Sequence, residues 1–313
     1  MSLAFLFPGQ GSQAVGMGKA LADASVTARE VFEEVDHALG QNLFKLMCEG
    51  PEGDLLLTEN AQPAIMANAI ATLRVLEKEG GVRLSEKCDF VAGHSLGEYT
   101  ALCAAGALPL AVTASLLKLR GRAMQAAVPV GIGAMAALLG ADIEKAEALA
   151  AAAAEGEICT VANDNDPGQV VISGHKGAIE RAIELVKDHG IKRGILLPVS
   201  APFHCPLMQP AADEMAKALA ATTIHAPLVP LYANVTAAPV ADPHLIATQL
   251  VEQVTGRVRW RESAIAMHAA GVGHFVEFGG KVLSPMVKRS AGEEVTTTSV
   301  ISMDDIEALL ANI

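Results

Sequence analysis

The chain has 313 residues, of which 51% are hydrophobic and only 4% aromatic, and its formal net charge is −12. That length supports one large domain or a domain carrying an insert, and a core of Ala, Leu, Val and Ile suits helices packed on a sheet better than an aromatic-rich β-sandwich. The acidic balance excludes a general nucleic-acid binder, because nothing here neutralises a run of phosphates.

The N-terminus, Met1-Ser-Leu-Ala-Phe-Leu-Phe-Pro-Gly-Gln-Gly, has no basic segment and does not read as a signal peptide. A strand is expected over Leu3–Phe7, then the loop Pro8–Gln13, then a helix from about Met17. Backbone N–H groups in Gly9-Gln10-Gly11, close to a helix start, are suited to hold a phosphate or an oxyanion. Helical patterns follow near Val26–Leu39, Ala61–Glu79 and Glu98–Ala127, the second with Pro63 in its first turn, where a missing N–H costs little. A short strand-like run, Cys88–Ala92, leads into Gly93-His94-Ser95-Leu96-Gly97. This G-x-S-x-G pattern sets a serine on a tight strand-to-helix turn, with glycines that let the backbone bend and leave space above the hydroxyl. An inert serine in a glycine-rich turn is the plainer alternative.

Two stretches are apolar enough to test as membrane spans. Thr100–Leu117 is broken by Pro109, and Ala123–Ala141 by Pro129, Gly131, Gly133 and Gly140. Both are alanine-rich and read as buried core, so no membrane segment is expected. Residues 130–199 then give a strand over Gly133–Gly140, a helix over Asp142–Glu155 capped by Asp142, and a strand over Glu157–Ala162. The turn Asn163–Gly168, a strand Gln169–Ser173, a helix Lys176–Gly190 and a strand Ile191–Val199 complete the segment. That β-α-β-β-α-β order is the pattern of a ferredoxin-like unit, here expected as an insertion between 1–129 and 200–313 of a larger α/β domain. The chain returns with Ser200–Met208, a helix to about Ala221, and strands near Leu228–Asn234 and Gly273–Phe278.

A serine hydroxyl needs a base to act as a nucleophile at neutral pH. Of nine histidines, His94 is a poor choice, since neighbours on a tight turn point apart. His204, bracketed by Pro202 and Pro206 just beyond a strand end, is the better one, and by sequence a structural role competes equally with a catalytic one. Arg120 sits on an otherwise apolar helix, Leu116–Met124, where a guanidinium is costly to bury without an anionic partner. That partner is either a structural carboxylate or a substrate's. Arg257, Arg259 and Arg261 form the densest basic cluster. The cysteines Cys48, Cys88, Cys103, Cys159 and Cys205 lack C-x-x-C pairs, which points to reduced, inert thiols in a cytoplasmic protein. No metal-ligand spacing is present, so neither a metal nor a cofactor is expected.

Seven segments taken together resemble the malonyl-CoA:acyl carrier protein transacylases of the FabD type. They are Phe-Pro-Gly-Gln-Gly-Ser-Gln at 7–13, Gly-His-Ser-Leu-Gly-Glu-Tyr at 93–99, Leu-Arg-Gly-Arg-Ala-Met at 119–124, and Gly-Ala-Met-Ala-Ala-Leu-Leu-Gly at 133–140. Asn-Asp-Asn-Asp-Pro-Gly-Gln-Val-Val-Ile-Ser-Gly at 163–174, Pro-Phe-His at 202–204 and Lys-Val-Leu at 281–283 complete the set, in family order along the whole chain. The resemblance implies an α/β-hydrolase-like parallel-sheet core with a ferredoxin-like insert. It implies Ser95 as nucleophile, His204 as base, the N–H groups of Gln10 and Leu96 as oxyanion hole, and Arg120 as partner of the malonyl carboxylate. It further implies that the main-chain carbonyl of Gln253 orients the histidine and that Asn165 approaches the CoA portion. The implied reaction moves malonyl from malonyl-CoA to the phosphopantetheine thiol of holo-acyl carrier protein by a ping-pong route, in a monomer that supplies fatty-acid synthesis. Phe203 resembles the malonyl-selective form of its loop. Glu277-Phe-Gly-Gly-Lys281 departs from the family's Glu-x-Gly-Pro-Gly-Lys, which puts that turn in question.

A serine esterase or thioesterase and a catalytically inert carrier-protein docking module stand as alternatives. So do a malonate-decarboxylase acyltransferase subunit and a trans-acting polyketide acyltransferase. Because carrier protein is acidic, Arg257, Arg259 and nearby lysines are expected to form the docking patch.

Overall fold

The computed structural model describes residues 2–313. Its strands are β1 (Ser2–Phe7), β2 (Phe90–Gly93), β3 (Gly133–Leu139), β4 (Cys159–Asp166), β5 (Gln169–His175), β6 (Arg193–Leu196), β7 (Leu231–Ala233), β8 (Ala238–Val240), β9 (Val272–Phe278) and β10 (Thr296–Val300). Six of them form one sheet in the order β10-β9-β1-β2-β7-β8, parallel except for the hairpin of β8 on β7. β1 lies at its centre, and Leu3–Phe7 is an unbroken apolar run because helices cover both faces. The architecture is α/β, as the composition predicts.

The other four strands make an antiparallel sheet in the order β4-β5-β3-β6. Its two faces follow from strand alternation. Ala134, Ala136, Leu138, Val170 and Ile172 pack on the sheet's own helices, Ile143–Ala154 and Lys176–Leu185. Met135, Ala137 and Val171, one residue out of phase, face the large unit and join its core.

Several elements depart from the sequence expectation. The first helix begins at Lys19, after Gly18 turns into the left-handed region. The long helix starts at Thr58, so Pro63 lies inside it and not in its first turn. Glu98–Ala127 is two helices, Leu96–Ala104 and Leu110–Ala126, separated where Gly106 takes φ 73° and Pro109 starts the second. Asn163–Asp166 are not a turn; β4 runs through them and only Pro167-Gly168 reverse the chain. Their polar groups are satisfied by distant segments. Asp164 N–H donates to the Val258 carbonyl and Val258 N–H to that of Ala162, while Arg261 and Arg289 pair with Asp164 and Asp166 at 2.9 and 2.7 Å. The helix from Lys176 ends at Leu185 rather than Gly190, and β6 ends at Leu196 rather than Val199.

The expected basic patch is not free. Arg257 pairs with Glu147 at 2.9 Å and with Glu262 at 3.6 Å, Arg259 with Glu262, and Arg261 with Asp164, so each guanidinium has at least one carboxylate partner. The Glu277 turn also has a definite form. Buried Glu277 accepts the N–H groups of Val282, Leu283 and Ser284 and so caps the helix Leu283–Ala291. No helix among the described residues is long and apolar enough to cross a membrane.

Candidate active site

The carboxyl ends of β1, β2 and β7, neighbours across the sheet, lead into Gln10, Ser95 and Asn234. Such ends are where open α/β sheets gather their reactive groups. Ser95 sits at φ 54°, ψ −112°, a strained conformation for a residue with a side chain. The flanking glycines make that bend possible. A Cβ on Gly93 would stand 1.9 Å from the Gly97 carbonyl oxygen, and one on Gly97 would stand 2.2 Å from that of Phe7.

Two buried amides hold the strained residue from both sides. Ser95 N–H donates to Asn234 Oδ1 at 2.8 Å, and the Ser95 carbonyl accepts from Gln253 Nε2 at 3.0 Å. Asn234 is fixed in turn, donating through Nδ2 to the Gly93 carbonyl at 2.7 Å and through its N–H to Glu98 Oε2 at 3.0 Å.

Ser95 Oγ lies 2.8 Å from His204 Nε2. The other ring nitrogen, Nδ1, faces the main-chain carbonyl of Gln253 at 2.8 Å. A carbonyl can only accept, so Nδ1 carries the proton and Nε2 offers its lone pair to the serine hydroxyl. Burial, reinforced by the Arg120 charge, pushes the His204 pKa down to about 3. The imidazole is therefore neutral and ready to accept a proton.

Arg120 is 1% exposed. Its Nη1 donates to Gln62 Oε1 at 2.8 Å, and Nη2 donates to Gln253 Oε1 at 2.8 Å and to Ser95 Oγ at 3.1 Å. The guanidinium also lies over the Tyr99 ring, 5.7 Å from its centroid. These partners are two amide oxygens, a hydroxyl and a ring; no carboxylate pairs with it among the described residues, and Nε has no partner. A buried cation with no carboxylate in direct contact is suited to receive one from a ligand.

The other sequence candidates fall around the same cavity of about 530 Å³. Gln10 and Leu96 line it, and neither N–H has an acceptor among the described residues. Asn165 also lines it, with Oδ1 2.8 Å from His94 Nε2, so the neighbour of the nucleophile is turned toward the four-stranded sheet. Met135, Ala137 and Val171 from that sheet and Phe203 beside His204 give the apolar wall. Sequence reasoning missed Gln62, Glu98 and Asn234. Glu98 had a signal, being the one charged residue between Glu98 and Leu117. Asn234 had a weaker one, at the end of an expected strand.

Residues 4–301 match the acyl transferase domain family. The malonyl CoA-acyl carrier protein transacylase of Escherichia coli (strain K12) is 43% identical over 309 residues, covering 98% of this chain and 97% of that protein. The crystal structure of an acyl-carrier-protein-S-malonyltransferase from Bartonella henselae superposes with a TM-score of 0.97 at 51% identity, covering 99% of each chain. A malonyl-transacylase solved in complex with its type II PKS acyl-carrier protein gives 0.96 at 38% identity, with both chains fully covered. The chain belongs to the acyl transferase domain family.

Proposed function

We propose that the protein transfers a malonyl group from malonyl-CoA to the phosphopantetheine thiol of acyl carrier protein, through a malonyl ester on Ser95. The observation that carries this reading is the buried Arg120 guanidinium, hydrogen-bonded to the nucleophile's oxygen and in contact with no carboxylate among the described residues. A carboxylated acyl group supplies a carboxylate in direct contact with the guanidinium and is held with its thioester over Ser95. The names of the relatives agree with this.

In the first half-reaction His204 Nε2 takes the Ser95 proton as Oγ attacks the thioester carbon. The developing oxyanion is received by the N–H groups of Gln10 and Leu96. The C–S bond breaks, and the imidazolium returns the proton to the departing CoA sulfur. The second half-reaction reverses these steps, with the carrier thiol giving its proton to His204 and attacking the ester. Gln253, through its carbonyl, keeps the imidazole in the tautomer that both halves require. Among the described residues no carboxylate reaches His204 Nδ1, so we read the site as a dyad. Asn165, which lines the cavity, is read as the residue that approaches the CoA portion.

We read the six-stranded unit, residues 1–129 and 200–313, as an α/β-hydrolase-like catalytic domain. The four-stranded unit, 130–199, with its β-α-β-β-α-β order, is read as a ferredoxin-like insert. Unpaired cysteines fit a cytoplasmic protein, and we read it as a monomer on the resemblance alone. The test is product analysis with and without holo-acyl carrier protein. Transfer predicts malonyl-carrier product and little free malonate; malonate released at one rate in both mixtures would identify a hydrolase instead.

A further inference from the structure

Glu98 is a buried carboxylate that the transfer steps above do not use. It is 1% exposed, on the helix that begins at the nucleophile. Its Oε2 accepts from Asn234 N–H at 3.0 Å and from Gln253 Nε2 at 2.9 Å. The same Gln253 amide accepts from Arg120 through Oε1 at 2.8 Å. One amide therefore bridges the site's cation and its nearest buried anion. The orientation is forced: a carboxylate on one side and a guanidinium on the other leave that amide only one way round.

The groups facing Glu98 are few. Arg120 comes from the Leu110–Ala126 helix, the amides of Gln253 and Asn234 come from two other elements, Tyr99 is the next residue on its own helix, and His204 is neutral. With Glu98 ionised the resting site is electrically balanced, one positive charge against one negative. A substrate carboxylate arriving at Arg120 leaves one uncompensated anion in a closed, low-dielectric space, which is costly unless a proton is bound.

We propose that Glu98 takes up one proton from solvent when a substrate carboxylate pairs with Arg120, and so sets the pH range in which the site prefers a carboxylated acyl group. This rests on the reading of Arg120 as the carboxylate's partner. The geometry allows it, because both donors use Oε2 and Oε1 is left to carry the proton without either bond breaking. The carboxyl is also close to doing so at rest. Burial pushes its pKa up to about 7, against the opposing pull of its two hydrogen bonds and of Arg120. A second anion beside Arg120 weakens that pull and pushes the pKa higher.

The experiment compares malonyl-CoA with acetyl-CoA. Enzyme acylation itself moves the serine proton to the CoA sulfur and leaves solvent protons unchanged. Mixing wild-type enzyme with malonyl-CoA in weak buffer near pH 8, followed with an indicator dye, is expected to consume close to one proton per enzyme acylated, and acetyl-CoA none. The ratio of malonyl to acetyl kcat/KM should fall by up to about tenfold per pH unit above about pH 7. In Glu98→Gln the ratio should be flat with pH. Equal proton uptake from both thioesters, or an unchanged slope in Glu98→Gln, would overturn the proposal. If Glu98→Gln does not fold, the wild-type proton count decides alone. Arg120→Ala separates the two readings. A malonyl preference that survives it defeats the role of Arg120, whereas a lost preference with the slope retained in Glu98→Gln defeats only that of Glu98.

Discussion

The main-chain carbonyl of Gln253 stands 2.8 Å from His204 Nδ1, in the place a carboxylate takes in a Ser-His-Asp site. The same residue's side chain spans Arg120, Glu98 and the Ser95 carbonyl. Backbone and side chain thus have separable duties. Gln253→Ala keeps the carbonyl but frees one side of Ser95, so acetyl transfer should fall by up to about tenfold, and malonyl transfer by about a further tenfold as Arg120 loses one anchor, each the loss of about one hydrogen bond. Half-reaction kinetics with the two thioesters check this; equal losses for both would contradict it.

Removing Arg120 should change both selectivity and pH dependence. A charge-assisted hydrogen bond contributes about 1.5–3 kcal/mol, so Arg120→Ala should lower malonyl-over-acetyl preference by about one to two powers of ten. Burial is the main cause of the low His204 pKa and the arginine's charge adds to it, so losing Arg120 should raise that pKa above about 3 while burial still keeps it below the ordinary histidine value. The acid limb of acetyl transfer then moves to higher pH. A pH–rate profile with an unmoved limb would count against the electrostatic coupling.

Asn234 tests whether the strained elbow is held from outside. Asn234→Ala strips partners from Ser95 N–H and the Gly93 carbonyl, at about 1–3 kcal/mol for each buried group. Denaturant titration should show the loss, with kcat falling alongside as Ser95 drifts from His204. Wild-type stability in this variant would mean water replaces the side chain freely.

The arginines of 257–261 should behave differently from one another. Asp164 is 1% exposed, so Arg261→Ala strands a buried carboxylate and should cost about 3–5 kcal/mol. Arg257 and Glu147 form an exposed pair worth under about 1 kcal/mol, so Arg257→Ala should barely move the midpoint. Carrier-protein KM should stay within about twofold in Arg257→Ala, since this cation is already neutralised by its partner.

Residues that act through local rules were legible in the sequence. Ser95 on its glycine turn, the span of β3 and the Asp142 cap need only spacing and side-chain chemistry. His204 was the preferred base from its loop, but the resemblance was needed to separate a catalytic from a structural role, because such a histidine has no local mark of its partner 109 residues away. Asn163–Asp166 looked like a turn because the groups that satisfy them are distant in sequence: the Val258 carbonyl accepts the Asp164 N–H, and Arg261 and Arg289 answer the carboxylates of Asp164 and Asp166. Arg257 and Arg259 read as a free basic patch for the same reason: Glu147 is distant in sequence, and Glu262 pairs only once the helix Trp260–Ala269 forms. Glu98, Asn234 and Gln62 were missed because each acts on another residue's position and not on substrate.

The central claim is that Ser95 carries the malonyl group between the two acceptors. Intact mass of the enzyme after brief mixing with malonyl-CoA, followed by peptide mapping, tests it most directly. One malonyl group esterified to Ser95, discharged when holo-acyl carrier protein is added, is the predicted result. An unmodified protein that still transfers malonyl, or an adduct on any other side chain, would contradict it.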